Sequence, residues 1–380
     1  MKPYLAVAVA LITIFTASVA KSEEKKPGGV LGGFEMAGFL NAGFGWQRFS
    51  NDPITEFAND GSYAGVLGSV ISNVGTGAAP APGQDDVEAF MEVAELDITK
   101  TFGERATLRA DLYFGRPLSG SWVPGTDIEQ AYLTVMLWKE HALEFTIGRF
   151  GTQAGFEAYE PYNLDTISWS LVTRANLYPF FVTGAQLSFD VTDYLSIYLA
   201  AGNGVINDTN VRIGDIPAGL ASFVFYWGEE PKDSYIVLTP FIGPESGENR
   251  PLTYGADATF AAWLTNNFQL ALEGVFHHDN AIAGGVNTNY LAGFMNLRWE
   301  MAEDWYGVLK YTYVNQLDAG NGVHNLTGAK QQIHEAGIGF GYNIADGMKL
   351  KWEGRVDIIA PKGGSMQWVP GTALALACAF

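Results

Sequence analysis

From residue 33 onward, hydrophobic and polar positions alternate in runs of about ten. The clearest run is 106–115, where Ala106, Leu108, Ala110, Leu112 and Phe114 take one side and Thr107, Arg109, Asp111 and Tyr113 the other. A period of two predicts a strand with one apolar face, not a helix. Residues 33–49 repeat the pattern, with Phe34, Met36, Leu40, Phe44 and Trp46 opposite Glu35, Asn41 and Gln47. Residues 88–102 set Ala94, Leu96 and Ile98 against Glu95, Asp97 and Thr99. Later, Met348, Leu350, Trp352, Val356 and Ile358 oppose Lys349, Lys351, Glu353, Arg355 and Asp357. Five charges on one face demand water, and the other face demands hydrocarbon, which no soluble core accommodates cheaply.

The connections between these runs alternate in length. Long segments (50–86, 116–125, 149–178, 203–216, 244–251, 277–288, 316–330, 360–370) are separated by shorter ones (103–105, 138–141, 192–193, 228–233, 265–267, 302–304, 343–347). Short turns on one rim and long loops on the other are the pattern of an outer-membrane barrel. Counting runs gives an all-β chain, a transmembrane antiparallel β-barrel of about sixteen strands, with fourteen and eighteen inside the boundary error. A barrel of that width leaves an aqueous channel. Trp138, Tyr194, Trp227, Trp263, Trp299, Trp305 and Trp368 stand at strand ends, as interfacial girdles do.

The third long connection carries the candidate chemistry. Residues 149–178 have no clean period, and a structureless connection of that length is usually functional. It is expected to fold into the barrel and narrow it. Its charges Glu157, Glu160, Asp165 and Arg174 stand among Phe156, Tyr159, Tyr162, Trp169 and Tyr178. Facing wall residues Arg109, Asp111, Lys349, Lys351 and Arg355, these acids would set a transverse field in a constriction. The plain alternative is that they are loop charges paired locally, with Arg149 and Arg174 as clamps.

The chain begins with Lys2, an apolar run over 4–15 and small residues at 18–20, which reads as a secretory signal cut after Ala20. Residues 21–32 then form a charged, flexible lead, and 33–380 the barrel. No later apolar run is long enough to span a membrane as a helix, so a membrane-embedded chain must be a closed barrel. Charged residues are only 17% of the chain against 48% hydrophobic. The net charge of −19, from 41 acids and 22 bases, argues against nucleic acid as a partner. The single Cys378 excludes an internal disulfide. The chain ends Leu374-Ala375-Leu376-Ala377-Cys378-Ala379-Phe380, like the terminal strand and Phe of outer-membrane barrels.

Within 94–204 stand Gln130-Ala131-Tyr132, then Gly148-Arg149-Phe150-Gly151-Thr152 with Gly155-Phe156-Glu157, then Pro179-Phe180-Phe181-Val182-Thr183-Gly184. On these residues the segment resembles the putative beta-barrel porin-2 family, the OmpL-like porins of the Gram-negative outer membrane. Gln153-Ala154 departs from it, standing where a proline and an aliphatic residue are expected. The resemblance implies a passive diffusion channel for small hydrophilic solutes or ions in the cell outer membrane, with no cofactor. Its partners would be lipid bilayer and lipopolysaccharide. A homotrimer fits a barrel of this size, although no interface is readable.

Two other classes remain open from sequence. One is a structural barrel sheathing an electron conduit, which needs a wider lumen. The other is an outer-membrane hydrolase using His277-His278-Asp279, but adjacent strand residues point to opposite faces and no further metal ligands stand at readable spacing. Asn207-Asp208-Thr209-Asn210 with Asp52, Asn59 and Asp60 offers oxygen ligands for divalent ions or lipopolysaccharide.

Overall fold

The computed structural model describes residues 34–48, 85–115, 126–157, 162–204, 206, 217–228, 234–244, 252–280, 287–317, 331–361 and 366–380. The expected export signal and lead, Glu160, and the loop oxygens at 52, 59, 60 and 207–210 lie outside the described residues.

Sixteen antiparallel strands follow in chain order: β1 (Phe34–Arg48), β2 (Asp85–Phe102), β3 (Ala106–Gly115), β4 (Thr126–Trp138), β5 (Leu143–Gly151), β6 (Phe181–Thr192), β7 (Leu195–Gly202) and β8 (Ala218–Trp227), then β9 (Ser234–Pro244), β10 (Leu252–Trp263), β11 (Phe268–Asp279), β12 (Thr288–Ala302), β13 (Trp305–Gln316), β14 (Gln331–Ala345), β15 (Met348–Pro361) and β16 (Gln367–Ala379). Each pairs with its neighbours in sequence, and β1 pairs with β16, so the sheet closes into a barrel without an edge. At the seam the Phe380 amide donates to Gly38 O (2.9 Å) and the Gly38 amide to Phe380 O (3.0 Å). Closure is what lets a sheet sit in lipid, where water cannot satisfy backbone groups.

The two faces follow the sequence pattern. Leu238, Ile242, Leu272, Phe276 and Leu374 are exposed on the outside, whereas Thr239, Asp257, Thr259, Glu273 and Glu353 are buried inside. Exposed Trp138, Tyr194, Trp227, Trp299 and Trp305 gather on the short-turn rim, and Trp368 lies on the other. Between β3 and β4 the register slips: Asp111 faces Gln130 but Leu112 faces Ile128, which leaves Glu129 as an extra residue. Consecutive Glu129 and Gln130 are therefore both buried, which strict alternation forbids.

The third long connection starts three residues later than its sequence suggests. Arg149 pairs with Thr183, Phe150 with Val182 and Gly151 with Phe181, so β5 continues to Gly151 and β6 starts at Phe181. The connection is thus 152–180, and Arg149 belongs to the wall. There its guanidinium lies over the Phe181 ring and donates to Ile128 O. The largest buried apolar cluster joins this connection, through Leu171, Val172, Leu177 and Tyr178, to Val275, Phe294, Val314 and Ile333 of β11–β14.

Candidate functional site

The connection is tied at its base and capped inside. Thr152 closes the base, its amide donating to Phe180 O (3.0 Å) and its hydroxyl to Pro179 O (2.5 Å). A helical turn in it, α1 (Leu171–Arg174), starts at Ser170, whose hydroxyl accepts from the Thr173 amide in the way Ser favours at a helix start. Glu157 folds back over the same turn. It accepts the Ser170 amide on both oxygens (2.8 and 2.7 Å) and the Thr173 hydroxyl (2.7 Å). Burial pushes the Glu157 carboxyl up, partly offset by Lys310 and by these bonds. Asn176, at φ +53°, ends the turn in the left-handed conformation that Asn tolerates.

From there the connection is bonded, strand by strand, to the wall across from β5 and β6. The Gly155 amide donates to Asp257 of β10 and the Phe156 amide to Glu273 of β11, each at 2.9 Å. Asp165 is paired with Arg298 and accepts from Asn296 (2.9 Å), both on β12. Lys310 of β13 donates to Ser168 O (2.7 Å), and Arg174 is paired with Glu335 of β14. On β15, Lys351 donates to Leu164 O (2.6 Å), and Glu353 accepts from the Ile167 and Ser168 amides (2.8 Å each) and the Ser168 hydroxyl (2.7 Å). The His277 ring of β11 sits 2.9 Å from Leu177 O.

Beneath the connection lies an ion network that balances. Lys310 is 3.7 Å from Glu335 and 3.5 Å from Glu353; Arg355 is 3.8 Å from Glu335 and 3.1 Å from Asp357. With Arg174 this makes three cations and three carboxylates, and all six side chains are buried. Equal numbers matter, because an unmatched charge out of water costs several kcal/mol.

The sequence-selected residues thus separate into two groups. Glu157, Asp165, Arg174, Lys351 and Arg355 lie in the seam between connection and wall, each with partners there; Lys349 lies with its amine 4.2 Å above the Tyr162 ring. Arg109 and Asp111 sit on the other side of the barrel. Arg109 Nε donates to Asp111 (2.8 and 3.0 Å) and its Nη2 is 3.9 Å from Asp97; Gln130 also donates to Asp111 (2.8 Å). The Arg109 and Asp97 side chains keep 30% and 21% of their surface exposed, against 0–4% for the six buried network charges. Along β2–β6, lumen wall therefore stays open at Asp97, Arg109, Glu144 and Asp190, while Glu95, Asp111 and Glu129 are buried in it. Its described lumen-side charges are Glu95, Asp97, Asp111, Glu129, Glu144 and Asp190, with Arg109 the one base among them.

The model of the family described as putative beta-barrel porin-2, OmpL-like, matches residues 74–372. The chain belongs to that family. It is an outer-membrane porin, and solved channel structures share its fold. The outer-membrane channel DcaP of Acinetobacter baumannii is 12% identical, with a TM-score of 0.62 over 91% of this chain and 97% of its own. Pseudomonas putida OprB is 10% identical, with a TM-score of 0.58 over 92% and 94%. A trimer form of OmpT from Vibrio cholerae is 10% identical, with a TM-score of 0.54 over 91% and 99%. No curated protein matches the chain.

For a porin of this family, the residues that sequence reasoning passed over are those that seat the connection. On β14 the lumen face runs Glu335, Gly337, Gly339, Gly341. A Cβ on Gly339 would stand 3.1 Å from Thr166, and one on Gly341 2.0 Å from the Tyr306 ring. On β16, buried Ala373 and Ala375 pack against Ile167. Three glycines at period two, followed two strands on by alternating alanines, mark a face that something must fill. His277 and His278 diverge as expected, the first buried against the connection, the second stacked on Tyr254 at 4.5 Å.

Proposed function

We propose that the protein is a passive diffusion porin whose passage runs along the β2–β6 wall, narrowed from the other side by residues 152–180, and that it favours cations. The observation that carries this reading is the asymmetry of exposure. Lys310, Glu335, Glu353, Arg355 and Asp357 of β13–β15 are sealed under the connection, whereas Arg109 and Asp97 remain accessible. Selection then falls to an acidic wall, since charge rings in a pore set the sign of the permeant ion. Glu157, Asp165 and Arg174 act as fasteners that hold the narrowing in place; Arg109 and Asp97 line the passage, with Asp111 buried behind them and holding Arg109.

No bond chemistry belongs to this mechanism. The burial of His277 against Leu177 O supports that view over a hydrolase, and sixteen strands with an occupied lumen support it over a sheath for an electron conduit. Residues 1–20 would serve as a cleaved export signal, and a trimer is the assembly we favour, as in the OmpT form above. Swelling of proteoliposomes in neutral sugars of rising size tests the reading. Uptake of mono- and disaccharides with a sharp size limit is the expected result, and no uptake of any solute refutes it.

A further inference from the structure

The open wall contains a group of carboxylates that the diffusion mechanism does not require. Glu95, Asp97 and Asp111 each place an oxygen within 4.8 Å of the others. They come together because Asp97 pairs with Asp111 across β2 and β3, and Glu95 lies two residues along the same face, opposite Tyr113. The bulge on β4 adds the buried Glu129 to this face. Asp111 is held by Arg109 and Gln130. Glu95 is not: it is 3% exposed, and neither of its oxygens has a hydrogen-bond donor among the described residues. Oδ1 of Asp97 is likewise buried without a donor among them. A carboxylate removed from water and given no donor costs more than a fold tolerates without compensation.

We propose that Glu95, Asp97 and Asp111 form a divalent-cation site on the pore wall, suited to calcium. Hard oxygen ligands in a flexible set are what calcium takes, at 2.3–2.6 Å, so that opposed ligands stand about 5 Å apart. The three oxygens, all within 4.8 Å of one another, lie inside that span. Magnesium, which needs about 2.0–2.1 Å in a strict octahedron, fits the same set less well. With all four carboxyls ionised, Glu129 included, the group and Arg109 together carry −3, which a calcium ion brings to −1. The rival is that the carboxyls share protons and hold no metal.

Terbium, a calcium substitute excited through tyrosine, separates the two. The test uses the full mature chain, folded in detergent micelles and stripped with chelator. Terbium chloride is titrated in at neutral pH and then displaced with calcium chloride. Tyr113, paired with Glu95, is the expected antenna. The wild type should show saturable emission that calcium displaces. Tyr113→Phe should dim the emission, and Glu95→Gln or Asp97→Asn should weaken binding at least tenfold. Both carboxyl substitutions preserve shape, and gel mobility before and after heating verifies folding; either folded variant decides the matter. Emission unchanged in a folded variant, or no displaceable emission in the wild type, overturns the site. This readout does not depend on conductance, so it stands or falls apart from the transport reading.

Discussion

Glu353 of β15 grips Ser168 with both carboxylate oxygens, one taking its amide and the other its hydroxyl, each within 2.8 Å. The two residues are 185 apart in sequence, and this contact fixes the connection between β5 and β6 to the far wall. Lys310, 3.5 Å away, neutralises the carboxylate, so the grip and the ion network are one structure.

Glu353→Ala is therefore expected to release residues 162–170 from the wall. Three hydrogen bonds disappear and Lys310 loses one of its two carboxylate partners. Removing one member of a buried ion pair costs about 3–5 kcal/mol. Urea unfolding in micelles should show the loss, and single channels should carry more current than wild type with noisier open states.

Gly155→Ala tests how the connection leaves the wall. Gly155 has φ +82°, and a Cβ there would lie 2.4 Å from the Tyr178 ring. That ring cannot swing away, because Tyr178 is buried and its hydroxyl is 2.8 Å from that of Thr173. The strained backbone alone costs about 1–3 kcal/mol. The variant should unfold at lower urea and lose the Gly155–Asp257 bond; an unchanged midpoint would contradict the packing described.

Glu157 gives the fold a pH dependence of definite sign. Burial raises its carboxyl above the ordinary range, so the folded chain holds that proton more tightly than the unfolded chain does. The stabilisation is complete below the ordinary carboxylate range and is lost as pH rises from there to the raised value. In Glu157→Gln this contribution vanishes. Urea midpoints of the two proteins, compared from acid to neutral pH, should show the wild type falling relative to the variant as pH rises.

Much of the barrel was legible because its physics is local. Alternation in 106–115 and 348–358 set the two faces, and the unequal connections set the two rims. The lumen needed more than alternation. Glu129 faces inward because of a bulge, and a bulge follows from the pairing of two strands, not from one strand's residues. Lys351 and Arg355 read as water-facing charges, since a polar strand face carries no record of what will cover it. The record lay elsewhere, in Gly339 and Gly341, whose missing side chains make room for Thr166 and Tyr306. The end of β5 was missed because Gly148-Arg149-Phe150 breaks the alternation while the pairing with β6 continues.

Arg109 is the one described base on the acidic wall, and its neutral replacement isolates that wall's charge. Arg109→Gln should raise the preference for potassium over chloride and leave the 152–180 connection in place, since the Arg109 guanidinium is paired with Asp111 on its own strand and with Asp97 on β2. Reversal potentials of wild type and variant in the same salt gradient check it.

The central claim is an open, acid-lined passage beside a fixed inner connection. The most direct test is the reversal potential of single wild-type channels in a planar bilayer under a potassium chloride gradient. Steady unitary steps with a cation-biased reversal, weakened by Asp97→Asn, are the expected result. An anion-biased reversal would contradict the acidic wall, and a folded barrel that passes no current would contradict the passage itself.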